Sequence, residues 1–433
     1  MIFPDKYAPI LVAVLALMAI APCQEARFFR TDDGSRFLLV PVRSQSVNWV
    51  NLQPAGPNEE PPQIPGLGMA IARASVLGDT QPARGQTSAL AWEKALRDAP
   101  ASGSRVMQVA DYVGVAVTFT EQSLETVARL LRVRMTREVL LGVQQQLDAV
   151  QRERSKRIRA IPHLGIMRRT VASFEAARPL LSALAEPANA EASDAVVMSF
   201  YRRTYAPAKS LNVITGNLRL DNAERLLKAT FATPLPDHIG EAPERGVAGP
   251  QAKARRDSAD TLMLGCPIPA NLDANAMLTL DLLIEYLAGD VHSYLPDHLR
   301  ACGHPRVRVY ARAPFPADGG IFLISVTKPG ATLTEDAMLT VHLEQALAKV
   351  ATDEPDADRM DRAVASLRAA RSAILQQPEG LATLIARRWA RTGAPPIAGL
   401  AEESRISGGD VRALAKRVFS LAGQSLVLPE VRK

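Results

Sequence analysis

The sequence predicts an α+β fold made of two related halves. Apolar strand-like runs and long amphipathic helical stretches are both present, but they do not alternate one for one as a doubly wound parallel sheet requires. A chain of 433 residues is too long for one ordinary core, so two domains are expected. The chain also repeats itself weakly at a long interval. Val76-Leu77-Gly78-Asp79 ends a predicted helix that follows a strand and a Pro-rich loop. Leu287-Ala288-Gly289-Asp290 ends another with the same antecedents, Pro267 and Pro269 lying in its loop. Val117-Thr118 and Val326-Thr327 each end a strand ahead of a helix, and Leu211 and Leu426 each start a strand. The members of each pair are separated by nearly the same distance, which fits duplication and is far too long for a solenoid.

From the N-terminus, Ala8 to Ala21 is an apolar run, short for a membrane span and suited to the core of a secretory signal. Lys6 gives its positive flank, offset by Asp5. Ala21-Pro22-Cys23 fits a cleavage site, so residues 1–23 read as a signal peptide. A lipidated Cys23 is disfavoured because Pro22 stands where a small residue is wanted. Export is the expectation, and the Ala- and Arg-rich composition suggests a bacterial periplasm. The first domain is placed at 24–236. In it Val113 to Phe119 is apolar enough for a sheet covered on one face. Arg105-Val106-Met107-Gln108-Val109 alternates and is bounded by Gly103, as an exposed edge strand would be. Ser123 to Arg134 and Thr136 to Arg159 read as helices. Residues 237–260, rich in Gly, Pro, Ala and charge without an apolar period, read as a linker. The second domain is placed at 261–433, with a strand over Leu262 to Cys266 and helices over Glu335–Val350, Asp358–Leu375 and Gly380–Arg391.

Composition narrows the function classes. The net charge is +6, with acids and bases interspersed, so Arg152 to Arg159 reads as a solvated helix face and not as a nucleic-acid patch. Aromatics are 5% and are not interleaved with basic residues, which disfavours single-strand binding. No P-loop, dinucleotide fingerprint or G-x-S-x-G is present. His292, His298 and His304 are spaced so that neighbours fall well off a common helix face, which disfavours a metal site. After cleavage Cys266 and Cys302 remain. They form no disulfide framework, read as two buried free thiols, and neither has an adjacent base.

Gly66-Leu67-Gly68-Met69-Ala70-Ile71-Ala72-Arg73-Ala74 resembles the metal helix of an inverted zinc metallopeptidase. That helix carries H-x-x-E-H, two histidine ligands and a general-base glutamate on one face. Here the three positions hold Met69, Ala72 and Arg73: a thioether, a methyl and a guanidinium. Other segments agree. Phe200-Tyr201 to Ala206-Pro207, followed by Leu211 to Asn217, resembles the F-x-x-x-Y-Y-x-P-x-N-x-x-L-x-V-x-G-D segment of the pitrilysin/insulinase family. Glu191 to Asp194 fits the capped start of its helix. Leu287 to Leu295 with Leu299-Arg300 resembles the family's L-G-G-x-x-S-R-L-x-x-x-L-R, and Phe315 to Pro329 the strand after it. The similarity runs from about Phe28 to Pro429.

The resemblance implies two homologous domains, each a mostly antiparallel sheet packed with helices, arranged as a half-clamshell. It implies a degenerate member without catalytic residues or zinc of its own. The family's third zinc ligand is a glutamate on a later helix. Glu153 is the nearest candidate, and it reads as a surface ion-pair partner. The resemblance also implies that Arg300, and less closely Tyr310, contact substrate at a partner's active site. The function it implies is the non-catalytic subunit of a heterodimeric periplasmic zinc metallopeptidase. Its partner would be an H-x-x-E-H-bearing chain that holds the zinc, and its substrates unfolded or extended peptides held by strand addition at the Arg105–Val109 edge. No nucleic acid and no membrane span are expected. The alternative is a stand-alone peptide-binding or scaffold protein that has left proteolysis behind.

Overall fold

Short, largely buried strands build the first sheet. A computed structural model describes residues 26–57, 59–61, 63–77, 101–109, 111–136, 142–159, 164–172, 192–233, 261–269, 272–313, 320–329, 333–376, 379–393, 395, 406–419 and 425–427. The expected signal peptide, the expected linker and Gly78-Asp79 lie outside them. Six strands form this sheet: β1 (Arg27–Arg30), β2 (Arg36–Pro41), β3 (Val47–Gln53), β4 (Ala101–Val109), β5 (Tyr112–Phe119) and β6 (Leu211–Gly216). Their order is β1-β2-β6-β3-β5-β4. Only the β2–β6 pair is parallel.

Every residue of β3 is buried, and all of β5 after Tyr112. The expected one-sided cover of β5 is therefore corrected: both faces are covered. On one face Phe37, Trp49, Val117 and Phe119 pack under Val127 and Leu131 of α2 (Leu124–Thr136) and Leu227 of α6 (Leu220–Thr230). On the other, Leu38, Val50, Leu52 and Val213 pack under Ile385, Ala386 and Trp389 of α11 (Gly380–Thr392). A strand buried on both faces loses its polar alternation, which is why Val113 to Phe119 is an almost unbroken apolar run. Gly103 does not bound β4. The strand runs through it, with a register shift between Ala101 and Gly103.

The second sheet comprises β7 (Thr261–Pro267), β8 (Arg308–Arg312), β9 (Ile321–Thr327) and β10 (Ser425–Val427). Its order is β10-β7-β9-β8, antiparallel throughout. That is the order β6-β3-β5-β4 of the first sheet, strand for strand, so the repeat in the sequence is a repeat in topology. Leu262, Leu264, Phe322, Ile324 and Val326 pack against α7 (Ala274–Ala288), α8 (Tyr294–Ala301), α9 (Leu333–Thr352), α10 (Ala357–Leu375) and α12 (Gly408–Val418).

Helices are exchanged between the halves. α11 follows the second sheet's strands β7–β9 in sequence yet lies on the first sheet, against β6 and β3. Arg391 of α11 makes a bidentate pair with Asp281 of α7 at 3.0 and 3.1 Å, and Glu379 at its start meets Arg105 of β4 at 2.7 Å. Conversely α4 (Leu164–Ala172) packs on β7 and β10. Among the described residues, no helix is long and apolar enough to cross a membrane.

The remaining helices are α1 (Leu67–Leu77), α3 (Val143–Arg159) and α5 (Asp194–Thr204). α3 starts at Val143 and not at Thr136 as expected, after Gly142 at φ 79°. Such a backbone angle breaks a helix and favours glycine. α5 begins at Ser193, whose hydroxyl accepts from the Val196 N–H, as the capped-helix reading requires.

Candidate functional site

Leu, Met, Ala and Arg make α1 a good helix former, and its first turn is fixed by a side chain from the preceding loop. The Glu60 carboxylate accepts from the Gly66 N–H at 2.7 Å and the Gly68 N–H at 3.0 Å, satisfying donors that have no partner within the helix. A Cβ on Gly68 would stand 1.7 Å from the Ala55 carbonyl oxygen. Glycine inside a helix ordinarily weakens it, so this one marks close approach of helix and loop. We expect Gly68→Ala to push α1 off this loop and cost about 3 kcal/mol, the upper range for overpacking, read as a lowered urea midpoint. An unchanged midpoint would show that the loop yields freely.

The face that the family's metal motif would occupy carries different chemistry. Met69 is half-buried among apolar side chains and Ala72 is fully buried. Arg73 reaches across to α3 and makes a bidentate ion pair with Glu153, Nη1 to Oε1 at 2.9 Å and Nη2 to Oε2 at 2.8 Å. The hydrogen bonds from Arg73 hold the Glu153 carboxyl below its ordinary value, and Glu153 raises Arg73 in turn. Glu153 is thus an ion-pair partner, as its Arg/Glu surroundings suggested, and its partner is the residue at the second histidine position. These residues do not fit zinc. A thioether and a methyl replace two of the motif side chains, and the Glu153 carboxylate that faces them is already engaged by a fixed cation. Among the described residues, no group of three or more His, Cys, Asp or Glu lies close enough to hold a metal ion.

A buried polar network under α1 was not found from the sequence. Arg134, 2% exposed, donates to Ser75 Oγ at 2.8 Å and Asn51 Oδ1 at 2.9 Å, and its guanidinium stacks over Tyr205 at 5.4 Å. Asn212 joins it, accepting from Asn51 Nδ2 at 2.7 Å and Trp49 Nε1 at 3.1 Å. Asn212, Tyr201 and Tyr205 all come from the segment that resembles the F-x-x-x-Y-Y motif. Tyr201 donates to the Arg134 carbonyl at 2.6 Å, so that motif locks α5 and β6 onto α2.

Glu60 also went unseen. Burial pushes its carboxyl above the ordinary 4.5, against the two N–H donors and Arg154, whose Nη1 lies 4.0 Å away. A raised folded-state value gives stability that is fully present below the unfolded value and is lost as pH rises through the folded one. Glu60→Gln removes this titration and, at every pH, one of the two acceptors for the Gly66 and Gly68 N–H groups. The acid-side contributions of carboxyls such as Glu153 stay in place, so the pH dependence of the difference is the readout. We therefore expect the urea midpoint of the parent to fall relative to Glu60→Gln as pH rises from about 4.5 toward 7. A constant difference across that window would contradict the assignment.

In the second half, Arg300 is on α8. It donates to the Val291 carbonyl and to Asp297, which also receives Arg359 at 3.1 Å. Burial raises the Asp297 carboxyl, but hydrogen bonds from Arg300 and Arg359 outweigh it and hold the group below its ordinary value. Tyr310 is on β8, 62% exposed. Its neighbours Val309 and Ala311 face the core into which α8 packs, so Tyr310 points from the opposite sheet face. The structure does not bring Arg300 and Tyr310 together.

The cysteine readings need correction, and one histidine has a partner that the sequence did not show. His304 pairs with His342 of α9, Nε2 to Nδ1 at 3.0 Å, a partner distant in sequence. His298 Nε2 lies 3.7 Å from Cys302 Sγ, so that thiol does have a base beside it, one helical turn back. Burial, then Lys349 and His342, hold the His298 imidazole below its ordinary value. Both thiols are free; Cys266 is buried and pushed up to about 12, whereas Cys302 is only half-buried.

No protein-family model matches the chain, and no curated protein matches it. Solved structures do. A peptidase M16 inactive domain from Pseudomonas fluorescens superposes with a TM-score of 0.67 at 14% identity, over 94% of this chain and 98% of that one. A protease from Helicobacter pylori gives 0.66 at 12% identity, over 93% and 99%. A chain of complex III2 from Candida albicans gives 0.60 at 13% identity, over 90% and 92%. The chain therefore has the M16 peptidase fold over nearly its whole described length, the fold that the pitrilysin/insulinase resemblance implied.

Proposed function

We propose that this chain is the zinc-less, non-catalytic subunit of an exported two-chain zinc metallopeptidase. It completes a chamber for extended peptides, and an H-x-x-E-H-bearing partner supplies zinc and general base. The Arg73–Glu153 ion pair carries the reading: an internal cation neutralises the carboxylate that faces the metal helix, so α1 and α3 are held together without a metal. The similarity to a structure described as an inactive M16 domain supports the loss of catalysis, and the similarity to a chain of a multi-subunit complex supports a partner. β4 is the terminal strand of its sheet, beside α1, and its edge is where an extended peptide would add. Arg300 and Tyr310 are the side chains this subunit offers across the interface, each tested separately because they lie apart. Purified alone and supplied with zinc, the chain should not cleave an unfolded polypeptide. Reconstituted with its partner, Arg300→Ala or Tyr310→Phe should lower turnover by roughly 100-fold if that residue stabilises the oxyanion in trans. Zinc-dependent cleavage by the chain alone would overturn the proposal.

A further inference from the structure

The edge of the second sheet carries a basic strip that no carboxylate among the described residues pairs with. β8 is the last strand in the order β10-β7-β9-β8, so one side of its backbone has no strand partner among the described residues. Arg308, Tyr310 and Arg312 alternate along its outward face, while Val309 and Ala311 face the core. Arg306, just before the strand, is exposed as well. Arg312 turns to Met167 of α4. Arg306, Arg308 and Tyr310 make no side-chain hydrogen bond or ion pair with any described residue, and the two arginines and the tyrosine follow one another on one strand end.

Charged residues on an edge strand ordinarily guard it against pairing with a copy of itself. Two β8 edges brought together would set arginines against arginines, which disfavours a second copy of this chain. The same charges favour an opposite one. A tyrosine 62% exposed between Arg308 and Arg312 is no guard; it offers a flat, partly apolar contact on the same strand face. We infer that β8 is a docking edge for an extended acidic segment, which adds as a strand and sets alternate carboxylates against Arg306 and Arg308, with Tyr310 beneath. This surface belongs to the second half and is separate from the β4 edge; it shares Tyr310 with the contact proposed across the partner interface, so it is tested on the chain alone, where failure of that contact cannot be mistaken for failure of this one.

The test uses the purified chain alone and a fluorescein-labelled decapeptide of alternating Glu and Thr, read by anisotropy and by amide exchange across β8. We expect binding that weakens as salt rises, slowed exchange at residues 308–312, and no binding of the matching Lys–Thr peptide. Arg306→Glu with Arg308→Glu should weaken binding at least about tenfold, the equivalent of 1.4 kcal/mol. Methylating alternate peptide nitrogens, which removes strand pairing but keeps the charges, should weaken it too. Absence of binding, indifference to the double charge reversal, or unchanged exchange in β8 would each overturn the inference. So would equal affinity for the N-methylated peptide or for a short thymidine oligonucleotide, since the strip would then be only a polyanion contact.

Discussion

Replacing Met69, Ala72 and Arg73 together, as Met69→His, Ala72→Glu and Arg73→His, should turn this chain into a zinc-binding protein. The expectation rests on Glu153. Arg73 holds its carboxylate against α1 through two hydrogen bonds, so a carboxylate already faces the helix where a third ligand is needed. Removing the guanidinium frees that carboxylate, and the two histidines, one helical turn apart, share its side of α1. Met69 is half-buried and Arg73 keeps partial access to solvent, so both positions admit an imidazole and leave a path for the ion. Parent protein should bind no zinc at micromolar metal, and the triple variant about one equivalent. Adding Glu153→Gln should abolish the gain, because two histidines alone make a weak site. A triple variant that folds yet takes no zinc would show that α1 and α3 have moved apart from a metal-binding geometry.

Trp389→Ala should be among the most damaging substitutions in the chain. Trp389 is fully buried, sits on the first sheet beside Leu38, Val50 and Val213, and meets Phe28 edge-on at 5.8 Å between ring centroids. It is carried by a helix that Arg391–Asp281 ties to the second half. Truncation therefore removes core volume and loosens the exchange of helices at once. We expect a loss of about 3–5 kcal/mol, the range for a buried tryptophan, read as a lowered urea midpoint. Arg391→Ala breaks only a partly exposed pair and should cost about 1 kcal/mol or less. Equal effects from the two would mean that α11 does not pack as described.

Much of this architecture was legible because the sequence repeats it. Each half contributes a strand, a helix, a two-strand hairpin and a returning strand, and the pairs Val117/Val326 and Leu211/Leu426 fall on matching strands of matching sheets. The helix read at Gly380–Arg391 from its apolar periodicity is found at Gly380–Thr392, where Gly393 at φ 68° closes it. What periodicity does not encode is which surface a helix covers. Nothing in Gly380 to Thr392 says that it lies on the other half's sheet, and so the second covered face of β5 was missed. The site was legible as a set of wrong residue types: Met69, Ala72 and Arg73 stand where ligands and base would be. The Arg73–Glu153 pair itself joins residues 80 positions apart and was visible only as two charges of opposite sign. Glu60 lay in a Pro-rich loop where no motif pointed to it, and the His304–His342 pair bridges separate elements, which one-dimensional spacing cannot show.

The most direct test of the central claim is isolation of the tagged chain from its native compartment at modest salt, with stoichiometric partners identified by mass and the eluate assayed for zinc and peptidase activity. The account predicts one co-eluting chain that carries an intact H-x-x-E-H, with zinc and activity that depend on that chain. A folded, homogeneous and inactive protein without such a partner would contradict it, and would leave a peptide-binding protein in a peptidase fold.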